Sequence, residues 1–173
     1  GLDIGPLKPN LAARLKTADG QVQAAPALLL NDLQRFATQP AWVEGQLLLI
    51  GRRHVRSNNS WMHNYHRLVK GKPRHQLLMN PQDLARRGLQ DGQRVSVRSR
   101  VGVLEVEVLA SAEMMPGVVS LPHGWGHGRP GVQMSIAQTT PGASANDLTD
   151  ERLLDALSGN AALNGVPVDV VAA

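Results

Sequence analysis

The sequence predicts a mainly β protein: a compact barrel of short strands carrying short helices, preceded by an N-terminal arm. An antiparallel sandwich is the competing layout. Three observations lead there. From Gln46 onward, short apolar stretches recur six times, separated by Gly, Pro, Asn and Asp. The helical signals among them are short, and no long βα alternation of a doubly wound sheet is present. The chain has 173 residues and 18.6 kDa, 42% apolar and 18% charged, enough for one ordinary domain or a domain plus an arm.

Residues 1–45 read as the arm. Gly5-Pro6, Lys8-Pro9 and Asp19-Gly20 punctuate it with turn chemistry. Pro26 suits the first turn of a helix running to about Gln39, where Leu29, Leu30, Leu33, Phe36 and Ala37 form an apolar stripe and Pro40 ends it. Such a stripe needs a surface to lie on. Leu47 to Ile50 is an unbroken apolar run ended by Gly51, the pattern of a strand buried on both faces, and Gln76 to Met79 is a second. Asn80 then caps a helix with Pro81 at its first position, Asp83 in its first turn and Arg86 and Arg87 near its end before Gly88. Asp91-Gly92 turns into Arg94 to Arg98, with Val95 and Val97 on one face. The chain returns after Gly102 with Leu104, Val106 and Val108 inward and Glu105 and Glu107 outward, placed to pair with Arg94 and Arg98. Val118 to Leu121 is a fifth strand. Asp150 to Leu157 reads as a short helix closed by Gly159. Val166 to Val171 is the last strand, with Pro167 marking an edge or a strand start.

The composition excludes a good deal of chemistry. Cysteine is absent, which removes disulfides, Cys-ligated zinc, iron–sulfur clusters held by this chain and thiol nucleophiles. Aromatics are 3%, so any core is built from Leu, Val, Ile, Ala and Met. No apolar run approaches the ~18 residues of a membrane span, and no signal-peptide pattern is visible. The first residue is Gly and all five Met are internal, which suggests a processed chain or a piece of something longer. The net charge is +4, but residues 52–100 hold twelve basic residues against Asp83 and Asp91 alone. That bias suits an anionic partner: a phosphate-bearing cofactor, nucleic acid or an acidic protein surface. The plain alternative is a solubilising face.

Several motifs are weighed and set aside. Gly126-His127-Gly128-Arg129-Pro130-Gly131 has the letters of a dinucleotide fingerprint, yet Pro130 and the following residues contradict the helix it needs. His63 with His66, and His123 with His127, have metal-ligand spacings but lack a third ligand. There is no nucleophile elbow, no phosphate loop ending in Gly-Lys-Ser/Thr and no close carboxylate pair. The richest segment is Gly51 to Asn64. Arg52, Arg53 and Arg56 suit phosphate oxygens, while Asn58, Asn59 and Ser60 match the mixed donors and acceptors of a heterocycle such as a pterin. The alternative is an exposed polar loop. The Gly-rich loop from His123 to Gly131 offers close backbone approach.

The order of these features resembles one family. A hydrophobic strand ending in Gly-Arg, a Ser/Asn/Trp/Met loop and Leu-Met-Asn-Pro-x-Asp-Leu come first. Gly-Leu-x-Asp-Gly-x-Arg-Val-x-Val, an Arg/Gly hairpin, Pro-Gly-Val-Val-Ser-Leu-Pro-His-Gly-Trp-Gly and Ala-Asn-Asp-Leu-Thr follow. From about Leu47 to Val171 this is similar to the C-terminal molybdopterin-dinucleotide-binding domain of molybdenum oxidoreductases related to dimethyl sulfoxide reductase, formate dehydrogenase and nitrate reductase. The resemblance implies a six-stranded double-psi β-barrel of the aspartate decarboxylase-like kind, residues 46–173, with 1–45 leading in from an upstream domain. It implies a role in binding molybdopterin guanine dinucleotide. The contacts it implies are Gly51, Arg52 and Arg53 at the strand end, Ser57, Asn58, Asn59, Ser60, Trp61 and Met62 in the loop, His123, Gly124 and Trp125 after a later strand, and Asn146; Arg56 joins this set on its charge alone. Asn80 and Asp83 fall in the family's Asn/His-Pro-x-Asp element, where a cap and a first-turn acid account for them.

The resemblance further implies that the metal ligand, the iron–sulfur cysteines and the substrate site lie in earlier domains, so this chain contributes no catalytic residue and no metal ligand. Its share is to hold and tune the cofactor. The expectation is a domain of a cytoplasmic molybdenum oxidoreductase whose partners are its own upstream domains, with no nucleic acid and no membrane span. The rival is a non-enzymatic barrel adaptor that binds an acidic protein or nucleic acid through the 52–100 stretch. Nucleic acid binding would weaken by ~0.7–0.9 log units per log unit of salt for each phosphate neutralised.

Overall fold

The computed structural model describes residues 1–38 and 43–173. The chain divides into two compact units, Gly1–Ala41 and Trp42–Ala173. The first contains α1 (Leu11–Arg14) and α2 (Ala27–Ala37). Pro26 stands one residue before α2 as its N-cap, and its carbonyl accepts from Leu29 and Leu30 N–H. Thr38 closes the other end with its hydroxyl on the Arg35 carbonyl, at 2.9 Å. The expected end at Gln39 and stop at Pro40 lie outside the described residues. The apolar stripe is present, yet no residue of α2 is buried.

The second unit is a closed six-stranded barrel. Its strands are β1 (Leu47–Arg52), β2 (Leu77–Met79), β3 (Arg94–Arg98), β4 (Val103–Ala110), β5 (Val118–Pro122) and β6 (Val166–Ala172). The order around the barrel is β1-β5-β2-β4-β3-β6, closing β6 onto β1. Two pairs are parallel, β1 with β5 and β2 with β4, and the other four are antiparallel. This is the double-psi barrel, and closure excludes the sandwich because no sheet edge remains.

Alternation builds the core. Leu47, Leu49, Leu77, Met79, Val95, Val97, Leu104, Val106, Val108, Val119, Leu121, Val166, Val168 and Val170 fill the interior without an aromatic side chain among them. Leu48 and Ile50 remain half-buried, so β1 is covered on one face rather than two, as a barrel with a partly dressed exterior requires. Pro167 pairs with Leu48, while the pairing of β6 with β3 begins only at Asp169. Its missing N–H therefore falls at a strand start.

The expected cap of α4 (Pro81–Arg86) is present. Asn80 Oδ1 accepts from Gln82 N–H at 2.8 Å, and its Nδ2 donates to the Met114 carbonyl at 2.6 Å. Asp83 is more than a first-turn acid. It is buried and accepts the Gly117 N–H at 2.7 Å, tying α4 to the turn that opens β5. In the β3–β4 hairpin Arg94 Nε reaches Glu105 at 3.0 Å, diagonally, since Glu107 is its register partner.

One expected helix does not form. Asp150 to Leu157 runs in turns, and Leu154 makes an isolated antiparallel bridge to Ala161. Two carboxylates explain it. Asp150 accepts the Arg152 N–H and is held by Arg100, while Asp155 accepts from both the N–H and the hydroxyl of Ser158. Such short side-chain bonds to nearby backbone offer an alternative to the helical ladder. A further short helix, α3 (His66–Val69), follows the loop after β1.

Candidate functional site

Two adjoining cavities lie at one end of the barrel. The first, ≈ 150 Å³, is lined by Leu49, Gly51 and Arg52 of β1 with Arg53, by His123, Ala145, Asn146 and Thr149, and by Leu163 and Asn164. The second, ≈ 340 Å³, is lined by Asn59 and Ser60, by His123 to His127 and Arg129, and by Met134, Ser144, Ala145 and Asn146. His123, Ala145 and Asn146 belong to both, so the cavities form one groove. Arg53, Ser60, His123 and Asn146 are thereby gathered from three separate stretches of chain. On the outer side of the 53–62 loop, Arg53, His54, Val55, Asn58, Asn59 and Met62 line a third hollow.

Local chemistry explains how each wall is placed. The parallel pair β1–β5 brings the ends of both strands to the same rim, where the His123 N–H donates to the Arg52 carbonyl at 3.0 Å. Asn58 and Asn59 occupy consecutive left-handed conformations, φ 41° and 62°, which Asn tolerates better than most residues. Gly124, at φ 91°, lies against them, and a β-carbon there would fall 2.3 Å from the Asn59 carbonyl oxygen. Asn146 sits in a 3₁₀ turn, Ala145–Leu148, anchored by the fully buried Leu148. That turn packs on Gly102 of the hairpin, where a β-carbon would collide with the Asp147 carbonyl.

The groove residues differ in what their polar atoms already do. Arg52 turns inward and donates to the carbonyls of Ser120 at 2.6 Å, Gln76 at 2.6 Å and Arg74 at 3.3 Å. Burial lowers its pKa to about 10. Its guanidinium fastens three chain segments at the rim. Arg53 is exposed and donates to Asn59 Oδ1 at 2.5 Å. Gly51 N–H donates to Asn164 Oδ1 at 2.7 Å, fixing the opposite lip. Arg129 is paired with Asp147.

Beneath the second cavity lies a buried polar layer. Ser57 Oγ is 3.0 Å from His63 Nε2, and His63 Nδ1 is 2.8 Å from His127 Nε2. Trp125 stacks on His63 with ring centroids 4.0 Å apart. Burial pushes the His63 pKa down to about 4, with the charge of His127 adding to the effect and a hydrogen bond to the Gly124 backbone opposing it. Burial likewise lowers His127. Both shifts favour the uncharged ring at neutral pH. His75, whose ring centroid lies 5.4 Å from that of Trp125, is lowered chiefly by burial, and its Nδ1 is buried without a hydrogen-bond partner.

The sequence-derived residues therefore separate. Gly51, Arg52, Arg53, Asn59, Ser60, His123, Gly124, Trp125 and Asn146 line the groove. Asn58 and Met62 face the outer hollow, and Ser57 is buried below. Arg56 and Trp61 line neither groove cavity, and Trp61 is 82% exposed. The His63–His66 and His123–His127 pairings are replaced by a His63–His127 contact, and no cluster of three or more metal-ligating side chains exists among the described residues. The Gly126–Gly131 segment runs in turns and opens no helix, so the fingerprint letters carry no such site. Leu163, Asn164, Ser144 and Thr149 were not legible as lining residues. For Asn164 the lone cue was the Asn-Gly turn before β6.

The groove combines the guanidinium groups of Arg52, Arg53 and Arg129, several amides, hydroxyls and the imidazoles of His123 and His127 with the apolar side chains of Leu49, Leu163 and Ala145 and the backbone of Gly124. It fits a polar, anionic, planar ligand. Comparisons agree with this reading. A tetrathionate reductase subunit from Salmonella typhimurium is 31% identical over 121 residues, which are 60% of this chain and 12% of that protein. The chain thus spans about an eighth of the curated relative it matches. Acetylene hydratase from Pelobacter acetylenicus shares the fold, with a TM-score of 0.62 and 20% identity over 83% of this chain and 20% of that one. The profile of the molydopterin dinucleotide binding domain matches residues 47–167. That match runs from the first residue of β1 into β6, across most of the chain, and the chain belongs to this family of molybdopterin-dinucleotide-binding domains.

Proposed function

We propose that residues 46–173 hold a molybdopterin guanine dinucleotide in the rim groove, as the C-terminal domain of a molybdenum-dependent oxidoreductase into which residues 1–45 lead from an upstream domain. The carrying observation is the convergence of Arg53, Ser60, His123 and Asn146 on two cavities that share a wall. The cofactor, when bound, supplies the metal and its dithiolene redox chemistry. The chain's own residues do the holding. Arg53 offers the accessible cation for phosphate. Asn59, Ser60 and Asn146 offer donors and acceptors for heterocycle or linker atoms. Gly51 and Gly124 keep backbone at close range. Arg52 contributes positive potential while its N–H groups secure the rim. Asn58 and Met62 take the outer hollow of the same loop, and Arg56 and the exposed Trp61 lie outside both groove cavities.

The parent activity is proposed in the broad form, a molybdenum oxidoreductase of the group that includes formate dehydrogenase and nitrate reductase, acting on its small-molecule substrate outside this domain. A cytoplasmic location belongs to the same reading. Among the described residues no helix is long and apolar enough to cross a membrane.

The test is calorimetric titration of the chain with GDP, as surrogate for the nucleotide half, beside a salt-titrated generic oligonucleotide. In the full-length enzyme Arg53→Ala and Asn146→Ala should each lower molybdenum content. Unchanged content in both, or steeply salt-dependent oligonucleotide binding with no response to GDP, would overturn the assignment.

A further inference from the structure

Ser57, His63 and His127 form a buried polar chain that the proposed function leaves unused. They are 7%, 1% and 5% exposed, and the two histidines lie 64 residues apart in sequence. The chain joins the loop after β1 to the loop after β5, the two segments whose backbones meet at Asn59 and Gly124. Trp125 is clamped in the same layer. It stacks on His63 and leans on His75, and its β-carbon would lie 2.9 Å from a β-carbon at Gly142. The N–H groups of Gly126 and His127 both donate to the Pro141 carbonyl.

Proton counting makes this arrangement conditional. One proton must lie between His63 Nδ1 and His127 Nε2, and with both rings neutral either direction of donation satisfies the chain. One added proton puts a charge on a buried ring. A second puts two N–H donors head to head at 2.8 Å. The surrounding charged and titratable groups give no relief. His75 beside Trp125 and His54 and His123 on the two loops are imidazoles. Arg52 is engaged by carbonyls, Arg53 by Asn59 and Arg129 by Asp147. Glu107 acts on His75 rather than on His63.

We propose that Ser57, His63 and His127 are positioning residues for the groove: their uncharged hydrogen-bonded chain holds the loop after β1 against the loop after β5, and acid releases it, opening the wall made by Asn59, Ser60 and Gly124. The consequence for ligand affinity rests on the function proposed above, whereas the clamp itself does not.

The experiment uses the 173-residue chain labelled with 15N, following histidine ring nitrogens and backbone amides by NMR between pH about 4 and 8. The His63 ring should stay neutral through the ordinary histidine range and gain a proton only toward pH about 4, and His127 should titrate below its ordinary value. The amides of Asn59, Ser60 and Gly124 should move with the same midpoint. Ser57→Ala, which leaves the His63–His127 contact in place, should weaken that coupled step, and His63→Gln should abolish it. At neutral pH His63→Gln should bind GDP about tenfold more weakly than the parent chain, as expected for one lost positioning hydrogen bond. Rings that titrate near 6.5 without movement of those amides would overturn the clamp. So would amide shifts that survive in His63→Gln. GDP affinity unchanged by His63→Gln would overturn the positioning role. If His63→Gln fails to fold, co-titration in the parent chain alone decides the clamp. If the parent chain ignores GDP, the groove assignment fails while the NMR titration still decides it.

Discussion

Gly124 and Asn59 meet backbone to backbone: a β-carbon on Gly124 would lie 2.3 Å from the Asn59 carbonyl oxygen and 3.0 Å from the Ser60 nitrogen. Nothing there is a flexible side-chain end that could swing away, and Gly124 also holds a φ of 91°. The groove wall therefore depends on a missing side chain. Gly124→Ala should destabilise the barrel unit by about 2 kcal/mol or more, since both the conformation and the contact are violated. Urea unfolding checks this, and a loss under about 0.5 kcal/mol would show that the loops separate at little cost.

Arg52→Ala removes the donors of three carbonyls, one on β5 and two on the loop that leads into β2. Hydrogen bonds to a charged group contribute about 1.5–3 kcal/mol, and the abandoned carbonyls are partly buried. The expected loss is about 2–3 kcal/mol, with Arg52→Lys restoring only part because an ammonium cannot span the fork. Thermal or urea unfolding of the two variants measures it.

Asn80→Ala should cost about 1–2 kcal/mol, the usual range for a lost N-cap, because the Gln82 N–H and the Met114 carbonyl both lose their partner. Asn80→Asp keeps the acceptor and loses the donor, so it should fall between the two in urea midpoint.

Asp150 gives an acid-labile joint. It is bonded first by Arg100 and next by the Arg152 N–H, and its pKa falls from 3.8 to about 2. A carboxylate with a depressed folded-state pKa stabilises fully above its unfolded value and loses that contribution as pH drops through the folded one. The contribution should thus be complete above pH 3.8 and fade between 3.8 and about 2. His63 acts in a higher window. Its folded pKa lies below the unfolded one, so the unfolded state takes up protons first and stability declines as pH falls from 6.5 toward about 4. Melting temperatures of the parent chain, Asp150→Asn and His63→Gln across both windows separate the two. Asp150→Asn should flatten the lower one alone.

Much of the barrel was legible because its information is local. Val95 and Val97, then Leu104, Val106 and Val108, alternate with polar or charged neighbours, and period two places them on one face whatever the rest of the chain does. The cap on α4 was equally local, an Asn-Pro pair followed by an acid. The loop chemistry of Arg53, Asn59, Ser60, His123 and Asn146 was visible as composition.

Position in space was a different matter. The parallel pairings of β1 with β5 and β2 with β4 join segments tens of residues apart, and closure of the barrel selects them rather than any neighbouring residue. That closure carries Ser60, His123 and Asn146 to one rim, turns Arg52 onto three carbonyls and brings His127 to His63. It also leaves 150–157 without a helix, since Asp150 is claimed by Arg100 from the hairpin and Asp155 by Ser158. The sequence by itself determined which residues face inward and which loops are polar, because side-chain period and turn chemistry act over a few residues. The tertiary structure alone decided which polar atoms remain available to a ligand, because that depends on which carbonyls and rings a folded barrel places within hydrogen-bonding distance.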